Sequence, residues 1–195
     1  MILASLISAQ AQTTYKKRIL IYGPTLHDGT PPSEEDQFID SHPDEFEPVQ
    51  TGTPRKSAIW DEQQWVNATV ADFKQFDAVF FSDKGTPIPN LAAASATRAI
   101  WGSAINGNIF ITSGDPINDG AHRVFRQGLR FAAAQAGNAH GRTGLYVALD
   151  HTAPGETFGN LQNPTEIPIL SWFGSFRAVR LIDNSSLINT RLSKD

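Results

Sequence analysis

Cysteine is absent from this sequence of 195 residues, which excludes disulfides, thiolate metal sites and a cysteine nucleophile. Basic runs are absent too, and the net charge of −4 argues against a surface for nucleic acid or anionic membrane. Beyond the N-terminus, no apolar run approaches the roughly 20 residues that cross a bilayer. The phosphate loops GxGxxG and GxxxxGK(S/T) and the zinc motif HExxH are also missing, so the sequence offers no common nucleotide or helical zinc site.

The N-terminal residues MILASLISAQAQ have the pattern of the end of a secretion signal. A short apolar stretch precedes Ala9-Gln10-Ala11, whose small-x-small spacing is typical of a cleavage site. No basic region precedes the apolar stretch, so an N-terminal arm is the alternative for residues 1–12. A chain of this length buries one good core, and we therefore predict a single α/β domain over residues 17–183 and a terminal tail over 184–195. The expected location is secreted or extracytoplasmic.

Short apolar segments separated by helical patterns indicate the fold class. Five segments are predicted as strands, over residues 19–22, 57–61, 77–83, 108–112 and 143–149. Continuous apolar runs of this length are typical of strands buried in a parallel sheet. Helices are predicted over 33–40 with Ser33 as N-cap, from Thr69 to 75, over 91–105 capped by Asn90, and from Asp119 to 136.

Strands that alternate with helices predict crossover connections, and hence a parallel sheet covered by helices on both faces. The expected architecture is a three-layer α/β sandwich with a mostly parallel, flavodoxin-like sheet. Two strand-like runs near the C-terminus, 167–173 and 175–182, have no helix between them. They predict an antiparallel strand pair added to the domain.

Four segments carry a family resemblance: RILIYGP, AIWDEQQWVNATVADFKQFDAVFFSD, ATRAIWGSAINGNIFITSGDP and RTGLYVALD, within residues 17–151. Together they resemble the class I glutamine amidotransferase-like domains of secreted microbial proteins. The resemblance implies a flavodoxin-like sheet. Enzymatic members of that family present a cysteine on a sharp turn between a strand and a helix, activated by a histidine and a glutamate. Because this chain has no cysteine, no catalytic residue is carried over, and the resemblance implies a non-catalytic member.

Aspartates follow four of the predicted strands: Asp61, Asp83, Asp115 and Asp150. The carboxyl ends of parallel strands lie along one edge of a sheet, so these side chains are candidates to converge there. Converging carboxylates ligate Ca²⁺ or Mg²⁺ or form an acid/base pair. Aspartate also caps helices and forms turns, and that role explains each residue singly. No organic cofactor is expected.

Ser113, Asp115 and His151 are the candidates for a catalytic group. The sequence around the serine, Ile-Thr-Ser-Gly-Asp, has only one of the two glycines of a nucleophile elbow. We therefore expect a non-catalytic binding or structural module, and the alternative is a hydrolase that uses the strand-end carboxylates, with or without a divalent metal. The sequence does not identify a partner: carbohydrate or another protein is the candidate, with Trp172 and Phe173 as the aromatic pair expected to be partly exposed, and burial of these rings in the core is the alternative.

Overall fold

A parallel β-sheet forms the centre of the molecule. The computed structural model describes residues 15–26, 32–49, 57–82, 91–113, 116–117, 120–134 and 141–149, with short C-terminal pieces at 165–166, 172–173 and 177–178. The sheet has five strands: β1 (Ile19–Tyr22), β2 (Ala58–Trp60), β3 (Ala78–Phe81), β4 (Ile105–Ser113) and β5 (Thr143–Leu149). All four neighbouring pairs are parallel. The predicted α/β class and parallel sheet are confirmed.

The strand order is β2-β1-β3-β5-β4. A flavodoxin-like sheet has the order 2-1-3-4-5, so the last two strands exchange places here and β4 lies at the edge. β4 is also the longest strand, and its pairing with β5 is irregular between Ile105 and Ile109. Within this irregular part, a Cβ on Gly107 would lie 2.9 Å from the backbone nitrogen of Gly144. The absence of a side chain there lets the two strands approach closely.

Helices cover both faces of the sheet. They are α1 (Glu34–Asp40), α2 (Glu62–Asn67), α3 (Val70–Phe73), α4 (Ala92–Ala96), α5 (Arg98–Ala104) and α6 (His122–Ala132). On one face, α2 to α5 bury Trp65, Phe73, Ala94 and Trp101 against the sheet. On the other face, α1 and α6 bury Ile39, Phe125 and Leu129. The strands supply both cores by alternation, and β1 directs Leu20 and Tyr22 to the first core and Ile19 and Ile21 to the second.

Two predicted N-caps are confirmed. The Ser33 hydroxyl accepts a hydrogen bond from the backbone nitrogen of Asp36, and the Asp36 carboxylate accepts in return from the backbone nitrogen of Ser33. Thr69 forms the same reciprocal pair with Asp72 at the start of α3. Each capping box satisfies backbone donors that the first helical turn leaves without a partner.

The prediction of one helix over 91–105 is wrong, because α4 and α5 are separate helices that meet at Thr97. The Thr97 hydroxyl donates to the carbonyl oxygen of Ala93 at 2.8 Å and accepts from the indole nitrogen of Trp65 at 3.2 Å. A hydroxyl bonded to the carbonyl four residues earlier bends a helix, and here a tryptophan from α2 holds it in place. The N-cap of α4 is Leu91 rather than the predicted Asn90, which lies outside the described residues.

Two further helix predictions need correction. The last helix begins at His122 with Ala121 as its N-cap, without a side-chain cap bond, so its start is two residues later than the predicted cap implies; Asp119 itself lies outside the described residues. The helix ends at Ala132, four residues before the predicted end at 136. Within the predicted apolar face of α6, Val124 is 45% exposed. The sequence prediction also omitted α2, a helix of six residues.

The C-terminal part differs from the predicted pair of strands. Two-residue strands, β6 (Thr165–Glu166) and β7 (Arg177–Ala178), pair antiparallel with each other. Trp172 and Phe173, predicted within a strand, have 3-10-helical conformation instead. Most of the two predicted ranges, 167–173 and 175–182, lies outside the described residues.

Candidate functional site

The carboxyl ends of β1 and β3 form the switch point of this sheet. β1 lies between β2 and β3. The second strand of the chain therefore pairs on one side of β1, and the third strand pairs on the other side. The helix that follows β1, α1, packs on one face, whereas α4 and α5, which follow β3, pack on the opposite face. The chain therefore leaves two neighbouring strand ends in opposite directions, which is where open α/β sheets bind ligands.

Three buried polar side chains meet at this switch point, and we call Thr25, Glu35 and Ser82 the switch-point cluster. Thr25 ends the 3-10 turn Gly23–Thr25 directly after β1. Its hydroxyl donates to the carbonyl oxygen of Tyr22 at 2.6 Å and accepts from the backbone nitrogen of Ser82 at 3.0 Å. One hydroxyl thus connects the ends of β1 and β3.

Glu35 joins the cluster from the first turn of α1. Its carboxylate accepts a hydrogen bond from the Ser82 hydroxyl, and the residue is only 2% exposed. Carboxylates are rarely this buried unless they are hydrogen-bonded. The capping box of Ser33 and Asp36 fixes the helical turn that carries Glu35, so the carboxylate is held over the strand ends by the local structure of the helix.

The geometry of Ser82 differs from that of an activated nucleophile. A nucleophile elbow places its residue on a strained strand-to-helix turn, yet no described residue other than glycine has a positive φ. Ser82 is also 4% exposed, and its hydroxyl donates to a carboxylate. The cluster therefore has the geometry of a support that fixes two strand ends.

Tyr22, the last residue of β1, lies under the cluster in an aromatic core. Its ring is 4.6 Å from that of Trp65 and 5.6 Å from that of Phe81, measured between centroids. Burial, assisted by the negative charge of Glu62, raises the pKa of the Tyr22 phenol from 10.0 to about 12. The phenol is therefore neutral over the physiological pH range.

This raised pKa predicts a loss of stability in alkali. Above pH 10.0 an unfolded Tyr22 releases its proton, whereas the folded one retains it up to about pH 12. The free energy of unfolding is therefore expected to fall between these values, by at most about 1.4 kcal/mol per pH unit from this residue. Denaturant titrations at a series of pH values should show a shallower fall for Tyr22→Phe than for the wild type. Equal slopes would contradict the assignment.

Of the predicted site residues, Asp61 can be described fully. It is exposed and N-caps α2, where its carboxylate accepts from the backbone nitrogen of Gln64 at 2.7 Å. The Gln64 side chain accepts in return from the backbone nitrogen of Asp61 at 3.0 Å. Capping, the alternative role given above, thus accounts for this residue.

The positions of the other predicted candidate side chains are not part of the described structure. Ser113 is the last residue of β4, and its side chain is outside the described set. Asp83, Asp115, Asp150 and His151 lie outside the described residues altogether. Within the ranges that the structure describes, no group of three or more His, Asp or Glu side chains could hold a metal ion.

Glu35 and Ser82 were missed by the sequence prediction. Glu35 is one of three acidic residues in the first turn of α1, where negative charge is favourable whether or not the side chain is buried. For Ser82, the sequence shows only that a serine directly follows a buried strand. Nothing local in the sequence indicates that β1 and β3 are neighbours, and without that pairing the two residues cannot be connected.

The aromatic pair near the C-terminus is partly exposed, as expected. Trp172 is 47% exposed, and its ring occupies the space beside Gly102, where an added Cβ would lie 2.4 Å from the indole. Phe173 packs against Trp101 with 5.9 Å between ring centroids. The pair therefore packs against α5 and leaves about half of Trp172 exposed.

A helix with the length and apolarity required to cross a membrane is not found among the residues that the structure describes. Comparison of the chain with protein-family models, with curated proteins and with solved structures finds no match.

Proposed function

We propose that this chain is a secreted, non-catalytic amidotransferase-like α/β domain that serves as a binding module, with its ligand site at the carboxyl edge between β1 and β3. The observation that carries the proposal is the switch-point cluster. Its Ser82 hydroxyl and Glu35 carboxylate are buried and bonded to each other, which is unlike a nucleophile presented to a substrate. The absence of cysteine removes the nucleophile of the amidotransferase reaction.

Carbohydrate is the proposed ligand class. The switch-point cluster is too buried to meet a ligand itself, so its proposed role is to fix the strand ends beside which a ligand binds. The half-exposed Trp172, which lies beside Gly102 of α5, is a separate surface on which a sugar ring can stack. The acidic net charge of −4 favours a neutral ligand over an anionic one.

The test is a thermal-shift screen of the full chain against neutral glycans, followed by calorimetric titration of those that raise the melting temperature. Glu35→Gln is expected to weaken the affinity at least tenfold, because the carboxylate orients Ser82 and the turn after β3. Glu34→Gln is the matched control, since this neighbour lies in the same helical turn but is exposed. Equal affinity of the two variants for the glycan would contradict a site at the switch point. If the chain bound no glycan but did bind another protein, the proposed carbohydrate ligand would be wrong.

A hydrolase that uses the strand-end carboxylates is the second candidate, because the strands are parallel and their carboxyl ends therefore lie along one edge of the sheet. Turnover of ester, glycoside or phosphoester substrates that Asp115→Ala abolishes would establish it in place of the module. If Ca²⁺ or Mg²⁺ raised the melting temperature of the wild type but not that of Asp115→Ala, the hydrolase would also bind a divalent metal through this carboxylate.

A further inference from the structure

The corner between α2 and α3 carries the sequence Asn67-Ala68-Thr69, which has the N-x-T pattern of an N-glycosylation acceptor. We propose that Asn67 is N-glycosylated when the chain enters a eukaryotic secretory pathway. The inference rests on the secretion part of the proposed function and is independent of what the switch point binds.

The backbone presents this tripeptide as an exposed corner. Asn67 is the last residue of α2, and Ala68 and Thr69 follow in extended conformation, with φ and ψ of −75° and 148° and of −97° and 167°. Asn67 and Thr69 are both exposed. Glycan acceptors belong to exposed surface of this kind, because the sugar is bulky and hydrated.

The hydrogen bonding of Asn67 is compatible with the modification. Its side-chain nitrogen donates to the carbonyl oxygen of Gln63 at 2.9 Å. In the reaction, this nitrogen forms a bond to the anomeric carbon of a lipid-diphosphate-linked oligosaccharide, the anomeric C–O bond breaks, and the lipid diphosphate leaves. The nitrogen loses one of its two protons and keeps the other, which still serves the bond to Gln63. The bond to Gln63 is retained when the sugar replaces the proton that does not face that carbonyl oxygen.

The residues on either side of Asn67 leave room for a glycan, since Val66 is exposed and Ala68 is half-buried. Asn67 also lies at the far end of α2 from the carboxyl edge of β2. The six residues of α2, at about 1.5 Å each, put it about 9 Å along the helix. The attachment point is therefore set back from the carboxyl end of β2.

The site can be tested by producing the full chain in a eukaryotic secretory host, once with its own N-terminus and once behind a leader of the host. Treatment with a peptide N-glycosidase converts a glycosylated Asn67 to aspartate, which peptide mass spectrometry detects. We expect the conversion in the wild type and its loss in Asn67→Gln. Asn184→Gln removes the second acceptor sequence, Asn184-Ser185-Ser186, which lies outside the described residues, and should leave the conversion unchanged.

Two substitutions of Thr69 separate the sequence requirement from folding. Thr69→Ser keeps both the acceptor pattern and the N-cap of α3, and should retain the glycan. Thr69→Asn keeps an N-capping side chain but destroys the pattern, and should lose the glycan while the melting temperature stays close to that of Thr69→Ser. Secreted wild type with an unmodified Asn67 in the host-leader arm would overturn the proposal. A glycan found only when the host leader is present would support Asn67 as an acceptor and would contradict secretion directed by the chain's own N-terminus.

Discussion

Replacing Gly144 by alanine is expected to lower the free energy of unfolding by at least about 3 kcal/mol. A Cβ at this position would lie 1.9 Å from the carbonyl oxygen of Ala132 and 2.6 Å from that of Asn108. Both atoms belong to the backbone, one at the end of α6 and the other in β4, so no rotation of a side chain relieves the clash. Urea denaturation followed by circular dichroism measures the loss, and failure to obtain folded protein is its extreme form.

Gly120→Ala is the control for this substitution. Gly120 has a φ of +70°, and nothing lies within 4 Å of its hypothetical Cβ. Its replacement is expected to cost about 1 to 2 kcal/mol from backbone strain alone. If Gly144→Ala cost no more than Gly120→Ala, the close approach of α6, β4 and β5 would be wrong.

The strands were the most predictable part of this fold because their signal is local. β1 and β5 have the predicted bounds, since each contains a continuous apolar run that is followed by glycine or a polar residue. The caps at Ser33 and Thr69 were equally accessible, because a capping box is formed within four residues of sequence. The same logic could have found α2, whose N-cap Asp61 and partner Gln64 are three residues apart.

The features that the sequence did not reveal depend on contacts between distant segments. The break at Thr97 is held by an indole from α2. The early start of β4 depends on Asn106, whose side chain accepts from the backbone nitrogen of Thr143 at 2.8 Å. The positions of β4 and β5 in the sheet follow from packing, because either order satisfies the same pattern of apolar runs.

The candidate site was hidden for the same reason. Strand-end aspartates suggested a row of carboxylates, and the one that can be described, Asp61, is used to cap its own helix. The carboxylate that does reach a neighbouring strand end, Glu35, comes from a helix. Its partner Ser82 is 47 residues away in the sequence. Only the pairing of β1 with β3 brings them together.

Removal of the Asp77 carboxylate is the second change with a large expected effect. Asp77 lies at the amino end of β3, on the opposite edge from the switch-point cluster, and is 2% exposed. Its carboxylate accepts hydrogen bonds from the Tyr15 hydroxyl and from the backbone nitrogen of Arg18 at 2.7 Å. The Arg18 guanidinium lies 3.8 Å away. The residue therefore attaches the segment before β1 to the sheet.

Asp77→Ala is expected to lower the free energy of unfolding by about 3 to 5 kcal/mol, because it leaves a partly buried guanidinium without this partner. The exposed Asp44 provides the control, and Asp44→Ala should change the free energy by less than about 0.5 kcal/mol. Denaturant titration of both variants measures the difference. Similar values for the two would mean that the Asp77 contacts contribute nothing.

The Tyr15 phenol provides a second, independent measurement of the same contact. Burial, the hydrogen bond to Asp77 and the charge of that carboxylate raise the pKa of Tyr15 well above its ordinary value. In Asp77→Asn, which keeps the shape of the side chain but not its charge, the Tyr15 pKa should fall back toward 10.0, although burial still holds it above that value. Ultraviolet difference titration against Tyr15→Phe isolates this phenol from the others. An unchanged pKa would show that burial alone raises it and that the charge of Asp77 is screened from the phenol.

Because this edge lies away from the switch point, Asp77→Asn should retain the ligand affinity of the wild type, so a loss of binding in Glu35→Gln can be separated from a general loss of stability.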